Sequence, residues 1–160
     1  MTKTTPATAF LRRRNIAFET LVYDYDPSVE KLGVHAAAAV GEPPERVFKT
    51  LMAEVDGKPV CVVIPVAREL SMKKLAAAFS GKSAKMMKPA DAERITGYRV
   101  GGISPFGQRK QIPTVLAQEA LELPYILTNG GGRGVQAKLS VSDALTAMDG
   151  KTADLLASAD

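Results

Sequence analysis

The sequence predicts a mixed α/β fold of the α+β kind: a single domain over residues 1–160, with a curved mixed sheet surrounded by helices. Three observations predict it. Helical and strand-like segments alternate, but without the regular βαβ rhythm of a doubly wound fold. Two β-rich runs, "VFKTLMAEV" and "PVCVVIPV", flank "DGK", an Asp-Gly hairpin signal. The chain of 160 residues, 46% hydrophobic and 24% charged, suits one core that needs neither disulfide nor metal.

The elements follow in order. Thr5 is a capping residue and Pro6 occupies the first helical position, so a helix opens there and runs to about Asn15. Residues 17–23, "AFETLVY", read as a strand. Residues 33–41, "GVHAAAAVG", form a short helix closed by Gly41. The hairpin comes next. "SMKKLAAAF" is a helix capped by Ser71 and stopped near Gly81, and "PADAERITG" is another, opened by Pro89 and ended by Gly97. A long loop, "GGISPFGQRKQIPT", occupies residues 101–114. "TVLAQ", "PYILT" and "VQAKL" are short strands, with the glycine-rich "NGGGRG" before the last. Ser140 or Ser142 caps the final helix, "SDALTAM".

Composition excludes several classes. No run of 18 apolar residues is present, so no membrane span is expected. "MTKTTPATAFLRRRN" lacks the apolar centre of a secretory signal. Cys61 is alone, so there is no disulfide framework, and a reducing, intracellular setting is expected. Net charge is +4. The basic residues cluster at Arg12-Arg13-Arg14, at Lys73-Lys74, at Lys82, Lys85 and Lys88, and at Arg109-Lys110. One cluster reads as a solvated face; together they permit an RNA partner.

Chemistry has few carriers. With one histidine and one cysteine, no metal set can be assembled, and no metal or other cofactor is expected. Cys61 lies inside the apolar "VCVVI" and reads as a buried, inert thiol. His35 lies in an alanine-rich helix and reads as structural. No phosphate-binding glycine motif of the Walker or dinucleotide type is present. What remains is Lys49 in "VFKTL" and the backbone of Gly101-Gly102. On a strand, Val47, Lys49 and Leu51 share one face, where an ammonium either lines a wet cleft or snorkels to an edge. The glycine pair is either a turn or a place where N–H groups approach a ligand and hold a developing oxyanion.

The segments "TPATAFLRRRNIAFE", "VFKTL", "PVARELSMKKLAAAF", "ITGYRVGGISPFGQRKQIPT", "GGRGVQAKLS" and "GKTADL" together resemble the YbaK family. These are freestanding trans-editing proteins similar to the editing domain of bacterial prolyl-tRNA synthetase. The resemblance runs from about Thr5 to Asp154. It implies a single mixed α/β domain with a barrel-like sheet, and a cytoplasmic aminoacyl-tRNA deacylase that clears mischarged Cys-tRNA(Pro), with prolyl-tRNA synthetase as a possible partner. It implies Lys49, Gly101 and Gly102 as catalytic residues. It implies Tyr23, Leu32, Thr50, Ser104, Pro105 and Gln136 around the substrate. With a tRNA substrate, the basic clusters supply the expected tRNA contacts, Lys82, Lys85, Lys88, Arg109 and Lys110. The chain departs from the family pattern at Leu32, where an aromatic is frequent, and at Gln136, where Asp or Glu is. These departures leave the class intact and open the question of which amino acid is removed. The alternatives are a deacylase for alanyl- or seryl-tRNA, and a non-catalytic module that binds tRNA or a synthetase.

Overall fold

A computed structural model describes residues 4–26, 28 and 32–158. The first helix, α1 (Pro6–Arg13), starts where local chemistry requires. The Thr5 hydroxyl accepts the Thr8 N–H at 3.1 Å, and the Thr8 hydroxyl accepts the Thr5 N–H at 2.9 Å. This reciprocal cap satisfies two donors that the first turn would otherwise leave bare. Strand β1 (Glu19–Val22) follows, then α2 (Leu32–Val40).

Strands β2 (Phe48–Val55) and β3 (Lys58–Pro65) form the expected hairpin. Asp56 and Gly57 both take positive φ, 51° and 82°, as a two-residue primed turn requires. Helix α3 (Met72–Ala78) is capped by Ser71, whose hydroxyl accepts the Lys74 N–H. After it come β4 (Ala84–Met86) and α4 (Pro89–Thr96), then β5 (Thr114–Ala117), β6 (Tyr125–Asn129) and β7 (Val135–Ser140). Helix α5 (Val141–Met148) is capped by Ser140, and β8 (Lys151–Ala153) follows it.

The strands form two sheets, ordered β1-β7-β6 and β4-β2-β3-β5-β8. The β3–β5 and β5–β8 pairs are parallel and the other pairs antiparallel. Neither sheet closes into a barrel. In place of the expected barrel-like sheet, one parallel bridge, Val47 to Leu127, joins two open sheets. Two strands escaped the sequence reading, β4 and β8. Each is three residues long, too short for alternation to declare itself, and each is held by pairing to a longer neighbour.

Strand β3 is buried from Val60 to Pro65, which explains its unbroken apolar run. Phe48, Ile64, Leu75, Phe106 and Leu116 are among the large fully buried members of the main core. Each contributes about 1.5–3 kcal/mol by leaving water. A smaller cluster, Ala37, Val47, Val66 and Leu127, lies where the two sheets meet.

Candidate active site

The site lies where β2 has lost its neighbours. Strand β4 pairs with β2 only over residues 53–55, and the Met87 N–H extends that contact to the Met52 carbonyl. At the other end the bridge to Leu127 begins at Val47. Between these points, residues 48–51 have no strand partner on that side among the described residues. A cavity of about 590 Å³ opens there, lined by Val47 and by β2 as far as Met52, by α2, by the segment after β1 and by both glycine-rich loops.

Lys49 is half-buried at this wall. Among the described residues it has no ion-pair partner, and its cavity neighbours are mostly apolar. Thr50 Oγ1 and Gln136 Oε1 are buried oxygens without a hydrogen-bond partner, and both residues line the same cavity. Buried polar atoms without partners are rare because each costs about 1–3 kcal/mol. Two of them lie on one cavity wall, where a ligand can supply the missing partner. Gln136 itself is only 5% exposed.

Tyr23 sits beside Gln136 on the adjacent strand exit. Burial lifts the Tyr23 hydroxyl above its ordinary 10.0, against the opposing pull of the neighbouring Gln136 side chain. It therefore stays a neutral phenol at neutral pH, able to donate as well as accept. Leu32, at the start of α2, closes the cavity with an aliphatic side chain.

The two glycines of the long loop part company. Gly101 lines the cavity and takes φ of +93°, and a Cβ there would lie 2.8 Å from the Tyr25 hydroxyl. Gly102 is buried with an ordinary φ. Its N–H donates to the Arg99 carbonyl at 2.8 Å, and a Cβ would press on the Gly132–Arg133 backbone at 3.0–3.1 Å. The expectation of two aligned oxyanion donors is corrected accordingly: the Gly102 amide is already engaged, and its glycine serves the close approach of two loops. No partner for the Gly101 N–H is found among the described residues.

Ser104 and Pro105 are also displaced from the expected site. Ser104 is fully buried, and its hydroxyl accepts the Phe106 N–H at 3.1 Å. Pro105 faces a second, smaller groove of about 120 Å³ with Phe10, Arg13 and Lys110. The cause is Phe106. Its ring is fully buried and its carbonyl accepts the Tyr98 hydroxyl, so the loop turns into the core after Ile103 and away from the cavity.

Lys82, Lys85 and Lys88 are exposed around β4, and Met86, Met87 and Pro89 from the same stretch line the cavity. Of the three, Lys88 is flanked by the cavity residues Met87 and Pro89, whereas Lys85 pairs with Glu54 and the Lys82 N–H donates to the Asp56 carboxylate at the hairpin turn, beyond the stretch of β2 that walls the cavity. Arg109 is committed in part to structure, since its guanidinium donates to the Arg94 carbonyl at 3.3 Å in the last turn of α4. Lys110 is exposed at the smaller groove.

The cavity also holds residues that the sequence did not disclose. Tyr25 and Asn129 line it, and Arg133 braces it from outside. Arg133 lay in plain view in "NGGGRG", but nothing local says which carbonyl it reaches. No serine, cysteine or histidine side chain lines the cavity among the described residues. Cys61 is fully buried, and that burial pushes its thiol up to about 12. Its sulfur accepts from the Gln108 amide at 3.6 Å. Among the described residues no group of three or more His, Cys, Asp and Glu could hold a metal ion, and no helix is long and apolar enough to cross a membrane.

Among the described residues, an ammonium without an ion-pair partner, unpartnered buried oxygens and a glycine amide without a partner lie around one cavity, a lining suited to a small polar ligand. The sequence matches the aminoacyl-tRNA editing domain over residues 26–147, and the chain belongs to that family. It is 39% identical, over 136 residues, to a chain assigned as a Cys-tRNA(Pro)/Cys-tRNA(Cys) deacylase, EbsC, of Enterococcus faecalis; the alignment covers 83% of this chain and 82% of that one. Two solved structures share the fold. One, described as a trans-editing enzyme for prolyl-tRNA synthetase, superposes with a TM-score of 0.82 at 20% identity, covering 98% of this chain and 100% of that one. The other, the protein APE2540, gives 0.83 at 20% identity, covering 95% and 99%.

Proposed function

We propose that this chain is an aminoacyl-tRNA deacylase that removes cysteine from mischarged Cys-tRNA(Pro). The observation that carries this reading is the cavity itself: Lys49, Thr50 Oγ1, Gln136 Oε1 and the Gly101 amide converge where no protein nucleophile of the serine, cysteine or histidine type is at hand. An aminoacyl ester is already activated, so the site needs to hold it and stabilise charge more than to attack it.

The roles follow from the chemistry of each group. Thr50 and Gln136 offer acceptors to the ammonium of the amino acid. The neutral Tyr23 hydroxyl beside Gln136 orients that side chain. The Gly101 N–H points at the ester carbonyl and stabilises the oxygen as charge develops. Lys49 meets the ribose or phosphate of the terminal adenosine as a compact point charge.

The nucleophile comes from the substrate. Its thiol attacks its own ester carbonyl, forming the C–S bond and breaking the C–O bond. The tRNA leaves with its hydroxyl restored by the thiol proton, and water then opens the thiolactone to cysteine. The net reaction is ester hydrolysis. Holding thiol and carbonyl together makes the attack intramolecular, a gain worth up to about 7–11 kcal/mol in well-oriented systems. The exposed Lys82, Lys85 and Lys88, with the exposed Arg109 and Lys110, attract the tRNA. Such a contact set reads little sequence, so a synthetase such as prolyl-tRNA synthetase supplies tRNA choice, in the cytoplasm.

The aliphatic Leu32 and neutral Gln136 favour one second reading, in which alanyl or seryl esters are cleared with water as nucleophile. The test is a panel of charged tRNAs mixed with the purified chain. Preferential release of cysteine from Cys-tRNA(Pro) supports the first reading. Preferential release of alanine or serine supports the second, and no release from any of them overturns both.

A further inference from the structure

Three consecutive peptide units around Gly101 are pinned, and the pins leave one group free. The Val100 N–H donates to Glu93 Oε2 at 2.8 Å. The Val100 carbonyl accepts twice from one guanidinium, from Arg133 Nε at 3.1 Å and Nη2 at 2.9 Å. The Gly101 carbonyl accepts from Asn129 Nδ2 at 3.2 Å, and the Gly102 N–H donates to the Arg99 carbonyl at 2.8 Å. The Gly101 N–H alone is without a partner among the described residues.

A trans peptide is planar, with its carbonyl and N–H pointing in opposite directions. Whatever grips the Val100 carbonyl therefore aims the Gly101 N–H. Arg133 grips it from outside the cavity, since Gly101 lines the cavity and Arg133 does not. The guanidinium is itself held: it lies 5.4 Å from the centre of the Tyr25 ring, and Tyr25 packs against Gly101. We propose that Arg133 is a positioning residue, whose two hydrogen bonds to the Val100 carbonyl turn the Gly101 N–H into the cavity and hold it there.

The proposal rests on the deacylase reading and deepens it, by saying which donor meets the ester carbonyl and what orients it. The grip also polarises. A cation on the carbonyl of a peptide draws electron density from the nitrogen of the same unit, so its N–H becomes a better donor. The fork geometry matters as well. Arginine offers two N–H groups from one rigid edge and fixes the plane of the peptide, whereas lysine offers one point charge and leaves it free to rock.

The test uses Arg133→Gln and Arg133→Lys in the full chain, with two measurements. The first needs no substrate: the amide resonance and hydrogen exchange of Gly101 in the free protein. In Arg133→Gln the Gly101 signal should shift and its exchange rate change, while β2 and β3 amides and the melting temperature stay as in the parent. The second is deacylation of Cys-tRNA(Pro). Full loss of an oxyanion donor costs about 10²–10³ in rate. Loosening it should lower kcat by about 10–100-fold in Arg133→Gln with KM within about twofold, and Arg133→Lys should recover part of the loss. An unchanged Gly101 signal, a parental kcat, or a loss confined to KM, as a simple phosphate contact would give, overturns the proposal. A parent protein that deacylates no tRNA would sink the deacylase reading instead, and the Gly101 resonance would still decide whether Arg133 sets that peptide.

Discussion

Asn129 ties the two glycine-rich loops together through one side chain. Its Nδ2 donates to the Gly101 carbonyl at 3.2 Å, while its Oδ1 accepts the Gly131 N–H at 2.7 Å and the Gly132 N–H at 3.2 Å. Asn129→Asp keeps the acceptor for the second loop and replaces the donor to the first with an oxygen that repels the Gly101 carbonyl. The variant should keep its fold and lose about 10–100-fold in deacylation rate, the range expected when an oxyanion donor is misaligned. Melting temperature and single-turnover rate, read on the same sample, check this. Parental turnover would detach Asn129 from the site.

The neighbouring glycines should fail differently. Gly101→Ala forces a side chain into φ of +93° and against the Tyr25 hydroxyl, so it should lose activity and about 1 kcal/mol or more of stability. Gly102→Ala drives the 101–114 loop off the Gly132–Arg133 backbone. Its primary loss should be stability, with activity following as the loops separate. A denaturant melt of each variant beside its kcat distinguishes the two.

The Cys61 thiol makes a prediction about pH. Burial lifts it from its ordinary 9.0 to about 12, and its neighbours Thr114 and Gln108 oppose the rise only in part. A group that holds its proton more tightly in the fold contributes its full stability below pH 9 and loses it as pH climbs toward 12. Cys61→Ala should therefore flatten part of the alkaline decline in stability and leave turnover at pH 7.5 within about twofold. A thiol reagent should leave the folded protein unlabelled at that pH. Rapid labelling with loss of activity would place Cys61 in the chemistry.

Salt dependence tests the lysines of residues 82–88. If Lys82, Lys85 and Lys88 contact RNA, affinity for uncharged tRNA should fall with salt, with a log–log slope of about −0.7 to −0.9 per contacted phosphate. Replacing all three by glutamine should shallow the slope by up to about three contacts. An unchanged slope would make them a solvated edge.

Local chemistry made much of the fold legible in the sequence. The Thr5-Pro6 start, the Asp56-Gly57 turn and the Ser71 cap are each decided by residues within a few positions, and all three stand where the sequence put them. The site was legible in part. Lys49, Tyr23, Thr50, Leu32, Gln136 and Gly101 do share one cavity. Ser104 and Pro105 do not, because the path of their loop is set by where Phe106 is buried, which is a tertiary fact. The constraint on Gly102 comes from a backbone some thirty residues away, and the target of Arg133 is equally distant. The gap beside β2 that makes the cavity depends on how little of β2 the three-residue β4 covers.

The central claim is that the cavity around Lys49 clears cysteine from tRNA, and the most direct measurement is a single-turnover time course on Cys-tRNA(Pro), run with the parent chain, with Lys49→Ala and without protein. The account predicts rapid release of cysteine by the parent, and release by the folded Lys49→Ala variant reduced at least about a hundredfold, close to the rate without protein. Parental release no faster than spontaneous hydrolysis, or undiminished release by Lys49→Ala, would contradict it.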